Sequence, residues 1–184
     1  MLNIITLLTA FVAAGTVANA KVFLSMEEAL MLAFPAATVE RTSVFLTAAQ
    51  QREAQRLSGD EKLPSALVAY YVATKDGRQA GTAYFDTHLV RTMPETIMVV
   101  VDVEGRASRI EVLSFQEPEE YLPRTRWYEQ FQGKALNDEL WMKRGIRPVA
   151  GATLTARATT EAARRVLALH QVIQGAVATR SSSP

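Results

Sequence analysis

The chain has 184 residues, 20 Lys and Arg against 19 Asp and Glu, a formal charge of +1 and no cysteine. Near-neutral charge argues against a nucleic-acid partner held by phosphate neutralisation. The missing cysteine excludes disulfides, thiolate nucleophiles, thiolate metal sites and iron–sulfur clusters. The length suits a single domain, which at this size buries roughly 70% of its unfolded surface and needs no covalent staple.

Met1 to Val17 is almost wholly apolar and is followed by Ala18-Asn19-Ala20. That small-x-small ending reads as a secretory signal peptide cleaved before Lys21, which makes the protein exported and periplasmic. The other reading is an uncleaved N-terminal anchor, although the run falls short of the ~20 apolar residues a comfortable span needs. We assign residues 1–20 to the signal, 21–176 to the domain and 177–184 to a disordered tail. There is no internal repeat and no long linker.

Ser25-Met26-Glu27-Glu28 is a capping box and starts a short helix ending near Phe34-Pro35. Thr38 to Leu46 is rich in β-formers and predicts a strand. Thr47-Ala48-Ala49-Gln50 repeats the capping box and starts a polar helix ending at Ser58-Gly59. Two hairpins follow. Ala66–Val72 meets Ala80–Phe85 across Lys75-Asp76-Gly77, and Thr96–Val101 meets Ser108–Phe115 across Glu104-Gly105. Val99-Val100-Val101 is continuous rather than alternating, the mark of a central strand covered on both faces. Beyond Phe115 the pattern predicts helix over Arg126–Gln132 and again over Asp138–Met142 behind an Asn137 cap. The last helix spans Thr155 to Ile173, with Ala158, Ala162, Val166, Leu169 and Ile173 on one face. Helices, then strands, then helices give an α+β fold: a twisted antiparallel sheet with flanking helices in one domain.

The chemistry concentrates where that last helix begins, at Ala150-Gly151-Ala152-Thr153-Leu154-Thr155. The first amides of a helix have no internal partner and, with the macrodipole, attract phosphate or carboxylate. Gly151 permits close backbone approach, and Lys143, Arg144 and Arg147 add positive charge upstream. The competing reading is that Thr153 or Thr155 merely caps the helix. Of the two histidines, His88 follows Asp86-Thr87 and could form an acid–base pair, but no serine sits in a nucleophile elbow. A histidine at a strand end is more often a surface or hydrogen-bonded residue. Two scattered histidines do not make a metal site. Glu27-Glu28 and Glu119-Glu120 read as solvated.

Gly151-Ala152-Thr153-Leu154-Thr155, followed by Ala156-Arg157-Ala158 and an alanine-rich helix, resembles the FMN-binding domain family. That family includes the flavin subunits of the Rnf complex and of the sodium-pumping NADH–quinone reductase. The resemblance extends back over Glu95–Phe115, Glu117-Pro118 and Trp127-Tyr128-Glu129-Gln130-Phe131. It implies an electron carrier holding FMN rather than an enzyme with its own substrate, served by a membrane redox partner and a flavin transferase. It also implies that Thr153 accepts the FMN phosphate as an ester, with Gly151, Ala152, Leu154 and Thr155 shaping the site and Glu117 and Pro118 near the flavin. Trp127 and Tyr121 are the aromatic candidates for ring contact. Two positions depart from the family pattern Asp-x-x-Ser/Thr-Gly-Ala-Thr: Arg147 replaces the Asp and Ala150 the Ser/Thr. The arginine could pair with the phosphate of a non-covalently held flavin. The alternative is a periplasmic binding or structural module that keeps the fold without flavin.

Overall fold

Both capping boxes form as written. Ser25 Oγ accepts from the Glu28 amide and Glu28 reaches back to the Ser25 amide, opening α1 (Met26–Ala33). Thr47 and Gln50 do the same for α2 (Ala48–Ser58), which Gly59 closes in the left-handed conformation. The structure is a computed structural model that describes residues 21–60, 63 and 65–181. The expected signal segment lies outside the described residues.

Six strands form one antiparallel sheet: β1 (Lys21–Val22), β2 (Thr38–Phe45), β3 (Leu67–Lys75), β4 (Arg78–Leu89), β5 (Pro94–Val101) and β6 (Ala107–Phe115). Their order is β1-β6-β5-β4-β3-β2, so each strand from β2 onward pairs with its successor and β1 returns to the far edge. The β3–β4 turn is Asp76-Gly77, with φ of 51° and 72°. Positive φ at both residues is what a type I′ turn demands, and glycine takes it without a Cβ penalty. The fold is thus the expected α+β arrangement, with β4 extended to Leu89 and β5 beginning at Pro94.

β5 is buried on both faces. Ile97, Val99 and Val101 join the core beneath α2 and the C-terminal helix, whereas Met98 and Val100 pack with Ala29 of α1 and Phe34 just beyond its end. After β6 come a 3-10 turn (Glu119–Tyr121), α3 (Thr125–Tyr128), a second 3-10 turn (Glu129–Phe131) and finally α4 (Thr153–Ser181). α4 runs into the segment expected to be a tail. Ala162, Val166, Leu169 and Ile173 are buried as their spacing predicted. The burial is broader than one stripe, since every residue from Ala162 to His170 is buried.

Asp138–Met142 is not a helix. Asn137 Oδ1 accepts from the Glu139 amide, but the carbonyls of Asn137 and Leu140 accept from Arg164 Nη1 of α4. The same guanidinium donates to the Leu57 and Ser58 carbonyls at the end of α2 and lies 3.8 Å over the Trp141 ring. Arg164 therefore ties the loop and α2 to α4. Removing it leaves four carbonyls to find other donors. Arg164→Ala is expected to destabilise the fold by roughly 3 kcal/mol in urea unfolding, with Arg164→Lys recovering only part of the loss.

Candidate functional site

The start of α4 is built without a side-chain cap. The Ala156 amide bonds the Ala152 carbonyl, which makes Ala152 the capping position, and alanine has no acceptor there. Neither threonine turns its hydroxyl to the first amides. Thr153 Oγ1 donates back to the Val149 carbonyl at 3.0 Å, and Thr155 Oγ1 donates to the Tyr121 carbonyl. Thr155 is buried and anchors the helix start to the Glu119–Tyr121 turn, while Thr153 and Leu154 are exposed. Gly151 has φ of 82°, a conformation side chains rarely adopt, and nothing lies within 4 Å of where its Cβ would be. The backbone is open to an approaching ligand at that point.

These residues line a cavity of about 220 Å³ together with Arg91 and Tyr121. The Arg91 guanidinium lies 5.0 Å from the Tyr121 ring centre. Arg91 was not singled out in the sequence; it is some sixty positions from Gly151, and no spacing rule joins a β4–β5 loop to a helix start. The structure thus brings Gly151, Ala152, Thr153, Leu154 and Thr155 together with a cation and the candidate aromatic Tyr121.

Arg147, Glu117 and Pro118 do not line this cavity. Arg147 is exposed and contributes its backbone: its amide donates to Gln130 and its carbonyl accepts from Trp127 Nε1 at 2.7 Å. Trp127 is buried against Tyr128 and Phe131, so it serves the core. Arg144 pairs with Asp138, and Lys143 sits exposed at a positive φ. Glu117 acts through the loop. Its carboxylate accepts the amides of Thr92 and Met93 at 2.7 and 2.9 Å, and these bonds hold its pKa below the ordinary carboxylate value. It fixes the segment that carries Arg91. Pro118 accepts from the Tyr121 amide and so shapes the turn bearing Tyr121.

Two turns along α4 lies a buried polar network that the sequence only hinted at. In the β4–β5 register His88 stands opposite Glu95, and Asp86 lies two residues back on the same face. His88 Nδ1 meets Asp86 Oδ1 and its Nε2 meets Glu95 Oε2, both at 3.0 Å. Arg165 grips Asp86 through two bonds of 2.9 and 2.8 Å and reaches Asp60 at 2.6 Å. Glu95, fully buried, also accepts from Thr159 and Tyr128. Burial alone would lower the His88 pKa, but the two carboxylates outweigh it and raise the value to about 9. Burial pushes Asp86 up, yet His88 and Arg165 hold it below its ordinary value. Both ring nitrogens of His88 are occupied, so neither can serve as a base toward a substrate. This is the hydrogen-bonded histidine, not the catalytic one. Among the described residues no group of His, Asp or Glu is arranged to hold a metal ion, and no helix is long and apolar enough to cross a membrane.

Comparison with family models, with characterised proteins and with solved structures gives no match.

The His88 shift has a direct consequence for stability. Its folded pKa of about 9 exceeds its ordinary 6.5, so its stabilising contribution is full below pH 6.5 and disappears as pH rises through 9. Wild-type unfolding free energy should fall by on the order of 3 kcal/mol across that window. His88→Gln should unfold more readily at pH 6 and show a flatter profile. A wild-type profile with no decline over this range would refute the assignment.

Proposed function

We propose that this protein is an exported FMN-carrying electron-transfer domain, with the flavin phosphate held at the Gly151–Thr155 helix start. The observation that carries the reading is convergence: the uncapped amides of Thr153, Leu154 and Thr155 begin a helix at the same cavity that Arg91 lines. A helix N-terminus and an arginine both favour a phosphate dianion. The residues present fit the group. Gly151 leaves its approach clear, and the exposed Leu154 and the half-buried Tyr121 offer apolar and aromatic surface beside it.

FMN supplies the redox chemistry when bound; the chain positions it and sets the charge around it. Arg91 takes the cationic role that the sequence assigned to Arg147, and Glu117 keeps the Arg91 loop in place. Thr153 is the side chain for an ester bond, formed when its oxygen displaces AMP from FAD, the reaction of a flavin transferase. Thr153 is exposed at the cavity, and its Oγ1, whose proton goes to the Val149 carbonyl, keeps lone pairs for attachment or for accepting a hydrogen bond. Electron delivery by a membrane redox partner follows from the resemblance alone. The second reading, a module of this fold without flavin, draws on Arg147, which stands where the family has an acidic residue and does not line the cavity.

Expression with and without a flavin transferase separates these readings. Fluorescence that survives denaturation and disappears in Thr153→Val supports the ester. Yellow protein that loses its colour on denaturation supports non-covalent FMN. In that case Arg91→Ala should weaken FMN roughly tenfold to a hundredfold, the loss expected for one charge-assisted contact. Colourless protein in the presence of supplied flavin overturns the proposal and favours the flavin-free module.

A further inference from the structure

The far half of α4 borders a second, larger cavity of about 590 Å³, within the size range of small-molecule sites. His170, which lines it, stands about 22 Å along the helix from Thr155 at 1.5 Å per residue. The two cavities share no lining residue. The β5–β6 turn forms one wall, α4 another, and the segment carrying Leu136 a third.

His170 is 7% exposed, and its Nδ1 lies 3.0 Å from the Tyr84 hydroxyl. The hydroxyl has no other partner among the described residues, and burial keeps Tyr84 protonated by raising its pKa. Tyr84 therefore donates to Nδ1, which leaves the ring proton on Nε2. Among the described residues Nε2 has no hydrogen bond and no fully buried side-chain nitrogen or oxygen is left unpaired, so Nε2 is not fully buried. The Nε2–H group accordingly opens onto the cavity as a free donor. Burial also lowers the His170 pKa, which favours the neutral ring.

The rest of the lining has one sign. No lysine or arginine contributes to it, and Glu104 is paired with Arg106 at 3.2 Å. Asp102 holds the turn through Oδ1, which accepts the amides of Glu104 and Arg106 at 2.9 Å each. Its Oδ2 makes no hydrogen bond among the described residues. Gln171 and Gln174 add carboxamides, and Leu136 and Leu167 supply an apolar wall.

We propose that this cavity binds a small organic ammonium compound that also carries a hydroxyl or carbonyl oxygen. The ammonium group is received by Asp102 Oδ2 and the glutamine carbonyls, the alkyl portion lies along Leu136 and Leu167, and the oxygen accepts from His170 Nε2. An anion would meet Asp102 with no cation in the lining to offset it. The site is independent of the flavin proposal.

Three probes of one shape test this on the protein as expressed: aminobutanol, butanediol and hydroxybutyrate, titrated by NMR. Aminobutanol should bind with a Kd of about 1 mM or tighter, butanediol at least about tenfold more weakly, and hydroxybutyrate not at all. Asp102→Asn keeps Oδ1 for the turn and removes the charge, and should abolish the preference for the amine. No binding by any probe, equal binding by all three, or an amine preference unchanged in Asp102→Asn would each overturn the proposal. Should that variant fail to fold, the ranking of the probes on the unaltered protein decides.

Discussion

The grip of Arg165 on Asp86 fixes the longest helix to the middle of the sheet. α4 is buried on all sides from Ala162 to His170, yet it carries Arg164, Arg165 and His170 there and Thr159 and Thr160 just before. An unpaired guanidinium in that setting costs several kcal/mol. Each of these groups must therefore meet a fixed acceptor, and only one placement of the helix satisfies them together. Arg165 meets Asp86 and Asp60, Arg164 meets the end of α2, Thr159 meets Glu95, and His170 meets Tyr84. Apolar packing alone would tolerate a small slide or rotation; these polar contacts do not. The position of the helix start against Tyr121, and of its far half against the Asp102 turn, follows from the same restraint.

The two histidines show how one residue type is set to opposite states. His88 lies between two carboxylates that are themselves buried, so the imidazolium is favoured and both nitrogens donate. His170 faces a phenol, which donates a hydrogen bond to one nitrogen and leaves the ring neutral. The cationic histidine has no valence left for a ligand, whereas the neutral one keeps a donor free. A histidine beside an aspartate invites a catalytic reading from sequence. The geometry inverts it: the partnered histidine holds β4, β5 and α4 together, and the one without an acidic neighbour in sequence has an unused group.

Much of the fold was legible because its signals are local. Ser25 with Glu28 and Thr47 with Gln50 specify helix starts within four residues, and Asp76-Gly77 specifies a hairpin within two. Val99-Val100-Val101 announced a strand covered on both faces, and the sheet order places β5 in the interior. The failures share a cause, which is a partner distant in sequence. Asn137 offered a plausible helix start at Asp138, but Arg164 of α4 captures the carbonyls there. Arg164 and Arg165 drew no reading from the sequence, because their partners Asp86, Asp60 and the end of α2 are distant in the chain. Glu95 belongs to the expected apolar hairpin region and is fully buried; nothing around it in the chain announces Thr159 or Tyr128.

The helix start illustrates the same division. Sequence offered two uses for Thr153 and Thr155, capping or ligand contact, and spacing alone favoured capping. In the structure both hydroxyls donate away from the helix, to Val149 and Tyr121, so the first turn keeps its amides uncapped. That arrangement is costly for a helix that binds nothing, since a capping side chain is worth about 1 kcal/mol. Alanine at the capping position forgoes that stabilisation in an otherwise well-partnered helix. The two capping boxes elsewhere in the chain give a contrast: α1 and α2 are closed by their own side chains, whereas α4 begins uncapped at a cavity lined by Arg91. The unmet donors of α4 thus lie where an anion would restore the missing bonds.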